Sequence, residues 1–226
     1  MAGGDAPVND LTRLRREPQL AQPRWEVIKR ILRETYLCHI GFADADGQGF
    51  SIPTIHALIG DDLIVHGSAA SRTLRALDGG AKICVTVAET DGLVLARSVL
   101  NHNINFRSVM VFGTAEIIRD EVEKQRVMHD FFEEVFPGRW DESRPPTENE
   151  SKRMALLRLP LAEASAKINE GPPEDEDADY ELEHWAGVIP VVHTLGEPQP
   201  DPALRDDILV PPSVERIRAR WTRTPQ

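Results

Sequence analysis

LIVHGSAASRTLRAL at residues 63–77, KICVTVAETDGLVLARS at 82–98 and NHNINFRSVMVFG at 101–113 decide how this chain folds. The first run opens apolar and ends on a polar cluster, His66-Gly67-Ser68. Three residues on, Ser71-Arg72 begins a short helical pattern that reaches 77, with Leu74 and Leu77 on one face. The second and third runs are β-branched and apolar, and Arg107-Ser108 heads the last of them. Strands follow strands with little helix between them, which disfavours a parallel α/β sheet and predicts an antiparallel one. Small hydroxyls, a glycine and arginines therefore gather where strands end and a helix begins.

Working outward, the period changes. Trp25, Ile28, Ile31 and Leu32 recur at helical spacing and predict a helix over 24–34, with Pro23 at its start. Residues 36–43, 50–59 and 63–66 read as strands, separated by Asp44-Ala45-Asp46-Gly47 and Gly60-Asp61-Asp62 turns. Residues 82–89, 93–98 and 106–118 are further strands, with Asp91-Gly92 read as a tight turn. Asp120 with Glu123 predicts a capped helix whose buried stripe is Val127, Met128, Phe131, Phe132, Val135 and Phe136. Residues 143–151 read as a polar loop, and 154–167 as a closing strand. Six or so strands framed by two helices predict a mainly β, α+β fold: a six-stranded antiparallel split barrel of Greek-key type with an extended tail.

Three regions follow: a flexible N-terminal arm at 1–22, the barrel at 23–170, and a Pro-rich, acidic extension at 171–226 that packs on it. Nine of the 17 prolines fall in that extension, and seven of the ten residues 174–183 are acidic, a run read as solvated. One apolar island interrupts it, Trp185 followed by Ala186-Gly187-Val188-Ile189-Pro190-Val191-Val192.

A chain of 226 residues has room for a conventional core. A net charge of −11 argues against nucleic acid and anionic membrane surfaces as partners. No run reaches the roughly 18 apolar residues of a membrane helix, and no apolar leader opens the chain, so a cytoplasmic protein is expected. Cys38 and Cys84 lie in apolar runs and read as buried free thiols. No GxGxxG, P-loop, HExxH, CxxC or GxSxG pattern is present, and no metal site is expected.

The best anion site is Ser68, Ser71 and Arg72. A helix starting near Ser71 aims free N–H groups and its positive dipole end outward, and a guanidinium matches two phosphate oxygens. Ser71 as a simple cap and Arg72 as a solvated charge is the competing reading. His56 and His66, on adjacent strands near these hydroxyls, are the candidate proton carriers.

The ordered set of motifs across 53–118, PTIHAL, VHGSAASRTLRAL, ICVTVAETDGLVLARS and HNINFRSVMVFGTAEII, resembles the pyridoxamine 5′-phosphate oxidase-like split-barrel family, in its flavin-nucleotide-binding, nitroimidazole-resistance-type branch. The resemblance continues through PGRW at 137–140, SAK at 165–167 and the run from Trp185. It implies a homodimer with FMN in two clefts at the interface. Pro53, Thr54, Ile55 and His56 would line the isoalloxazine edge; His66, Gly67 and Ser68 the ribityl chain; Ser71 and Arg72 the phosphate. Arg107 and Ser108 would reach the flavin from the partner, and Trp185 would offer a flat face to substrate. Asn103 and Phe106 stand where the family pattern has serine and tyrosine, and the arginine-rich C-terminal motif of the vitamin B6 oxidases is missing. The expected activity is an FMN-dependent oxidoreductase, passing hydride from NAD(P)H or another donor to a small aromatic, nitro or heterocyclic acceptor or to oxygen. The alternatives are a flavin or tetrapyrrole carrier and a deazaflavin-dependent reductase.

Overall fold

The computed structural model describes residues 4–68, 73, 74 and 80–223. In chain order they form α1 (Trp25–Arg33), β1 (Leu37–Ala43), β2 (Gly49–Ile59), β3 (Asp62–Ser68), β4 (Lys82–Leu95), β5 (Asn103–Thr114), β6 (Glu116–Ile117), α2 (Glu121–Val135), α3 (Glu148–Arg153), β7 (Met154–Pro160), β8 (Glu163–Asn169), β9 (Gly187–Pro190) and α4 (Pro212–Trp221). Thr73 and Leu74 are helical, while the rest of the helix expected over 71–77 lies outside the described residues.

The sheet is antiparallel, ordered β6-β7-β3-β2-β1-β4-β5-β8, with β9 on β4. It has nine strands where six were expected, because two expected strands are each broken in two and the C-terminal extension adds β9. Residues 106–118 divide into β5 and β6, and 154–167 into β7 and β8 around Leu161-Ala162. Each break turns the chain at the sheet's end, so β6 pairs with β7 and β8 with β5.

Alternation along the strands makes two cores. Leu63 and Val65 of β3, with Leu157 and Leu159 of β7, face the interior cluster beneath α1. Ile64 and Leu156, one residue out of phase, face the other way and meet Val127, Met128, Phe131 and Val135 of α2. That α2 face is the stripe read from the sequence, and Asp120 caps the helix by accepting the Glu123 N–H.

Asp91-Gly92 is not a turn. β4 runs on through it with a bulge between Thr90 and Gly92, where one extra residue is inserted opposite β5. Below the bulge Ile83, Val85 and Val87 are buried; above it Val94 is, so the inward face changes parity. Gly92 is required there because a Cβ would lie 2.8 Å from Val188 Cγ1 of β9. The hairpin turns instead at 96–102, through a 3-10 turn at Val99–Asn101.

The stretch expected as a flexible arm lies along the barrel from Gly4. Ala6 and Thr12 are buried, Ala6 N–H donates to Pro23 O at 2.7 Å, and Gln22 N–H donates to Ala166 O at 2.9 Å. The apolar island enters as β9, which pairs with 92–95 of β4, yet Trp185 stays 68% exposed with its ring over Gly187.

The acidic run is not uniformly solvated. The Asp175 carboxylate is fully enclosed and accepts the N–H groups of Arg97 (2.9 Å) and Ser98 (3.1 Å) and the Asn101 side-chain amide (3.3 Å). Burial pushes its pKa up, but these donors outweigh it and the net shift is downward. Arg97 also stacks over Tyr180, 4.6 Å from the ring centroid. Asp175→Ala is expected to free the hairpin tip: amide exchange at Arg97 and Ser98 should accelerate at least tenfold while exchange in β1 stays unchanged. Equal protection in the variant would mean the tip is held by its own turn.

Candidate functional site

The expected site residues divide by strand parity. Ser71 and Arg72 lie outside the described residues. Thr54 and His56 point inward from β2, whereas Ile55 points outward into the α2 cluster. Thr54 Oγ–H donates to the His66 carbonyl at 2.8 Å and ties β2 to β3. His56 is 1% exposed; its Nε2–H donates to Leu32 O at 3.0 Å, at the end of α1. Its side chain is thus enclosed in the barrel interior against the end of α1. Burial lowers its pKa to about 4.

That burial has a pH consequence. The folded pKa lies below the unfolded one, so the unfolded chain takes the proton first. Stability is fully present above about pH 6.5 and is lost as pH falls toward about 4. Between pH 7 and pH 5 the loss is on the order of 2 kcal/mol. Urea unfolding at the two values should show it in the wild type and much less in His56→Gln. Equal pH dependence in both would assign the effect to other groups.

His66, Gly67 and Ser68 end β3. Ser68 and His66 lie on the outward face with Ile64, and opposite them in register stand Met154 and Leu156 of β7. The His66 ring sits 6.2 Å from Phe131 and 6.4 Å from Phe132 of α2, centroid to centroid. Partial burial lowers its pKa, so the ring is neutral near pH 7 with a lone pair to offer.

Arg107 and Ser108 point to opposite faces of β5. Arg107 turns inward to the barrel mouth and pairs with Glu34 (3.4 Å) and Asp91 (3.3 Å). Ser108, opposite Ala88 and Lys167, lies on the outer face.

Beside His66 is a feature the sequence reading did not single out. An apolar cavity of about 470 Å³ opens between α2, the loop after it, and α3. Phe132, Phe136 and Trp140 form its walls, Met128 and Met154 add two thioethers, and Arg139 and Arg144 stand at its rim. Ser151 lines it with a buried Oγ that has no hydrogen-bond partner among the described residues. The Ser151 carbonyl accepts from the buried ammonium of Lys124 at 2.7 Å. Arg144 is held by a forked pair with Glu150 (2.6 and 2.8 Å). α3 itself replaces the expected polar loop. Its capping box, Thr147 with Glu150, was a legible signal that the density of charge around it obscured.

A volume of this size suits a small organic ligand or cofactor. An orphaned hydroxyl inside an apolar chamber calls for a polar atom on whatever fills it. Among the described residues no group of three or more His, Cys, Asp or Glu is placed to hold a bare metal ion. No described helix is long and apolar enough to cross a membrane.

The family model described as pyridoxamine 5′-phosphate oxidase matches residues 24–168, and this chain belongs to that family. Among solved structures it is similar to the flavocytochrome Anf3 from Azotobacter vinelandii, at 40% identity and a TM-score of 0.89, over 95% of this chain and 99% of that one. It is also similar to the FAD and heme binding protein from Mycobacterium smegmatis, at 32% identity and a TM-score of 0.83, over 88% of this chain and 97% of that one. Among curated protein sequences none matches.

Proposed function

We propose that this protein is a two-cofactor redox protein, with a flavin nucleotide at the end of β3 and a haem in the cavity beside α2. The cavity carries the reading. A haem is flat, largely apolar and edged by two carboxylates. The chamber has aromatic walls, rim guanidiniums from Arg139 and Arg144, and an unpartnered Ser151 hydroxyl. Met128 and Met154 in the lining, and His66 behind Phe132, are of the residue types that ligate haem iron. The flavin reading is supported by the family, and by the two relatives, one described as a flavocytochrome and the other as binding FAD and haem. The Mycobacterium protein, described as binding FAD, favours FAD over the FMN that the family resemblance implies.

Pro53, Ile55, Gly67 and Ser68, together with Ser71 and Arg72, would hold the flavin. When bound, flavin accepts hydride and releases single electrons, and haem iron takes electrons singly and binds small ligands such as oxygen. The chain supplies the rest: Phe132, Phe136 and Trp140 exclude water, and the rim arginines neutralise carboxylates. NAD(P)H is the proposed donor, with oxygen or a small aromatic, nitro or heterocyclic molecule as acceptor. A homodimer is part of the proposal. Leu37, Ile104 and Met110 stand exposed on one outer sheet face, the kind of surface a second copy covers.

The absorption spectrum of the purified protein tests this directly. A flavin band and a Soret band are expected, with anaerobic NADPH bleaching the first and reducing the haem. The flavin released on denaturation should be FAD. Protein that lacks a Soret band and takes up no added haemin sinks the haem claim. Protein that carries no flavin and takes up neither FAD nor FMN sinks the flavin claim. Both cofactors without NADPH oxidation would favour a carrier.

A further inference from the structure

One wall of the cavity is a loop, 137–144, and loops are the least self-supporting part of a site. Two sets of contacts hold it. From inside, the Glu133 carboxylate at the end of α2 accepts the N–H groups of Gly138 (2.9 Å) and Trp140 (3.3 Å). From outside, Glu142 accepts from the Ser213 hydroxyl and from the Ser213 N–H at 3.3 Å, in the first turn of α4. The same carboxylate pairs with Arg216 of α4 at 3.5 Å and with Arg139 of the rim at 3.6 Å. The Arg216 guanidinium lies directly on Gly138, where a Cβ would fall 2.1 Å from Nη2, and Gly138 has φ +78°. The positive φ favours glycine there, and any Cβ would push the guanidinium off the loop.

The far end of α4 is fastened to α2. Trp221 is buried and its indole N–H donates to Val135 O at 2.8 Å. Arg220 donates to Glu134 at 2.7 Å and to Arg33 O at 2.8 Å. Thus α4, which lies beyond the residues matched by the family model, spans from the end of α2 to the cavity rim.

We propose that α4 is the clamp that sets this cavity wall, and that Glu142 is a positioning residue holding Arg139 and Trp140 against the cavity's occupant. Coupling of this kind is reciprocal. Whatever fills the cavity tightens the docking of α4, and a docked α4 tightens binding in the cavity. The C-terminal segment then reports whether the cavity is filled. The inference rests on the haem reading for its first probe only.

The test uses the full chain with Glu142→Ala, Glu142→Gln and Ser213→Ala. Glutamine keeps an acceptor for Ser213 and loses the ion pairs. Haemin titration followed at the Soret band should show binding weakened roughly 10- to 100-fold by E142A, the usual range for losing an outer-shell partner. E142Q should recover most of it, and the Soret position should shift in E142A alone. In the wild type, haemin should slow amide exchange along 213–221; in E142A it should not. Unchanged affinity in folded E142A, or α4 exchange indifferent to haemin in the wild type, overturns the proposal. Should the wild type bind no haemin, the haem reading fails and the clamp is judged with anilinonaphthalene sulfonate, which joins apolar rings to an anion. E142A weakening that dye and exposing the Trp140 amide upholds the clamp, and neither change overturns it. Should E142A fail to fold, S213A decides on the same readouts.

Discussion

His66→Ala is expected, on the two-cofactor reading proposed above, to keep the flavin and lose the haem. Of the seven histidines, His66 lies on the outer sheet face beneath α2, in the same outward row as the cavity-lining Met154 across the β3–β7 ladder. Its ring packs on Phe132, a cavity wall, and burial keeps it neutral. A neutral imidazole is the form that ligates iron. If His66 ligates the proposed haem, its loss should exceed the roughly 10–100-fold cost of losing an outer partner. His129→Ala is the control. His129 also touches a wall, 5.4 Å from Trp140, but it is half exposed and bonded to Asp130. Haem content and Soret position in the two variants should differ sharply. Intact haem in His66→Ala, or equal loss in both, would move the ligand to Met128 or Met154.

Phe131→Ala is expected to cost about 3–5 kcal/mol, the range for deleting a fully enclosed aromatic ring. Phe131 is 0% exposed and sits between α2 and the outer faces of β2, β3 and β7, edge-on to Phe132 at 5.5 Å. Total stabilities run near 5–15 kcal/mol, so this one change removes a large share. The unfolding midpoint should fall by on the order of 10 °C. Phe132→Ala should cost clearly less, because Phe132 is only partly buried, while harming haem uptake more. A loss below about 1 kcal/mol for Phe131→Ala would mean that α2 is held by its ends and not by its face.

How much of this was legible follows from periodicity. The stripe of α2 and the apolar alternation of β3 and β4 are local patterns, so the sheet and its two faces could be read directly. The strand count was missed although Pro160 ends β7 and Gly113 stands two residues before the break at Ala115, because the apolar pattern runs on across both breaks. α4 was missed although Val214, Ile217 and Trp221 keep helical spacing, since four arginines between 216 and 223 dilute the pattern. The cavity was beyond reach for a different reason. Arg139, Trp140 and Ser151 come together only because the α2–α3 loop folds back, and no spacing rule encodes that. The burial of His56 was likewise out of reach, because sequence shows a strand histidine but not its packing against the end of α1.

The bulge in β4 works like a frameshift. Everything before Asp91 is written in one phase, with odd-numbered side chains in the interior; everything after it is written in the other, which buries Val94 and Ala96. Deleting that single residue would leave both halves of the strand intact in composition while exchanging the faces of the distal half. Val94 would turn out and Leu93 in, and the seat for β9 at Gly92 would vanish. Chain-length variation should therefore be tolerated at the exposed tip near Leu100 and forbidden ten residues earlier, in a place that looks like an ordinary Asp-Gly turn.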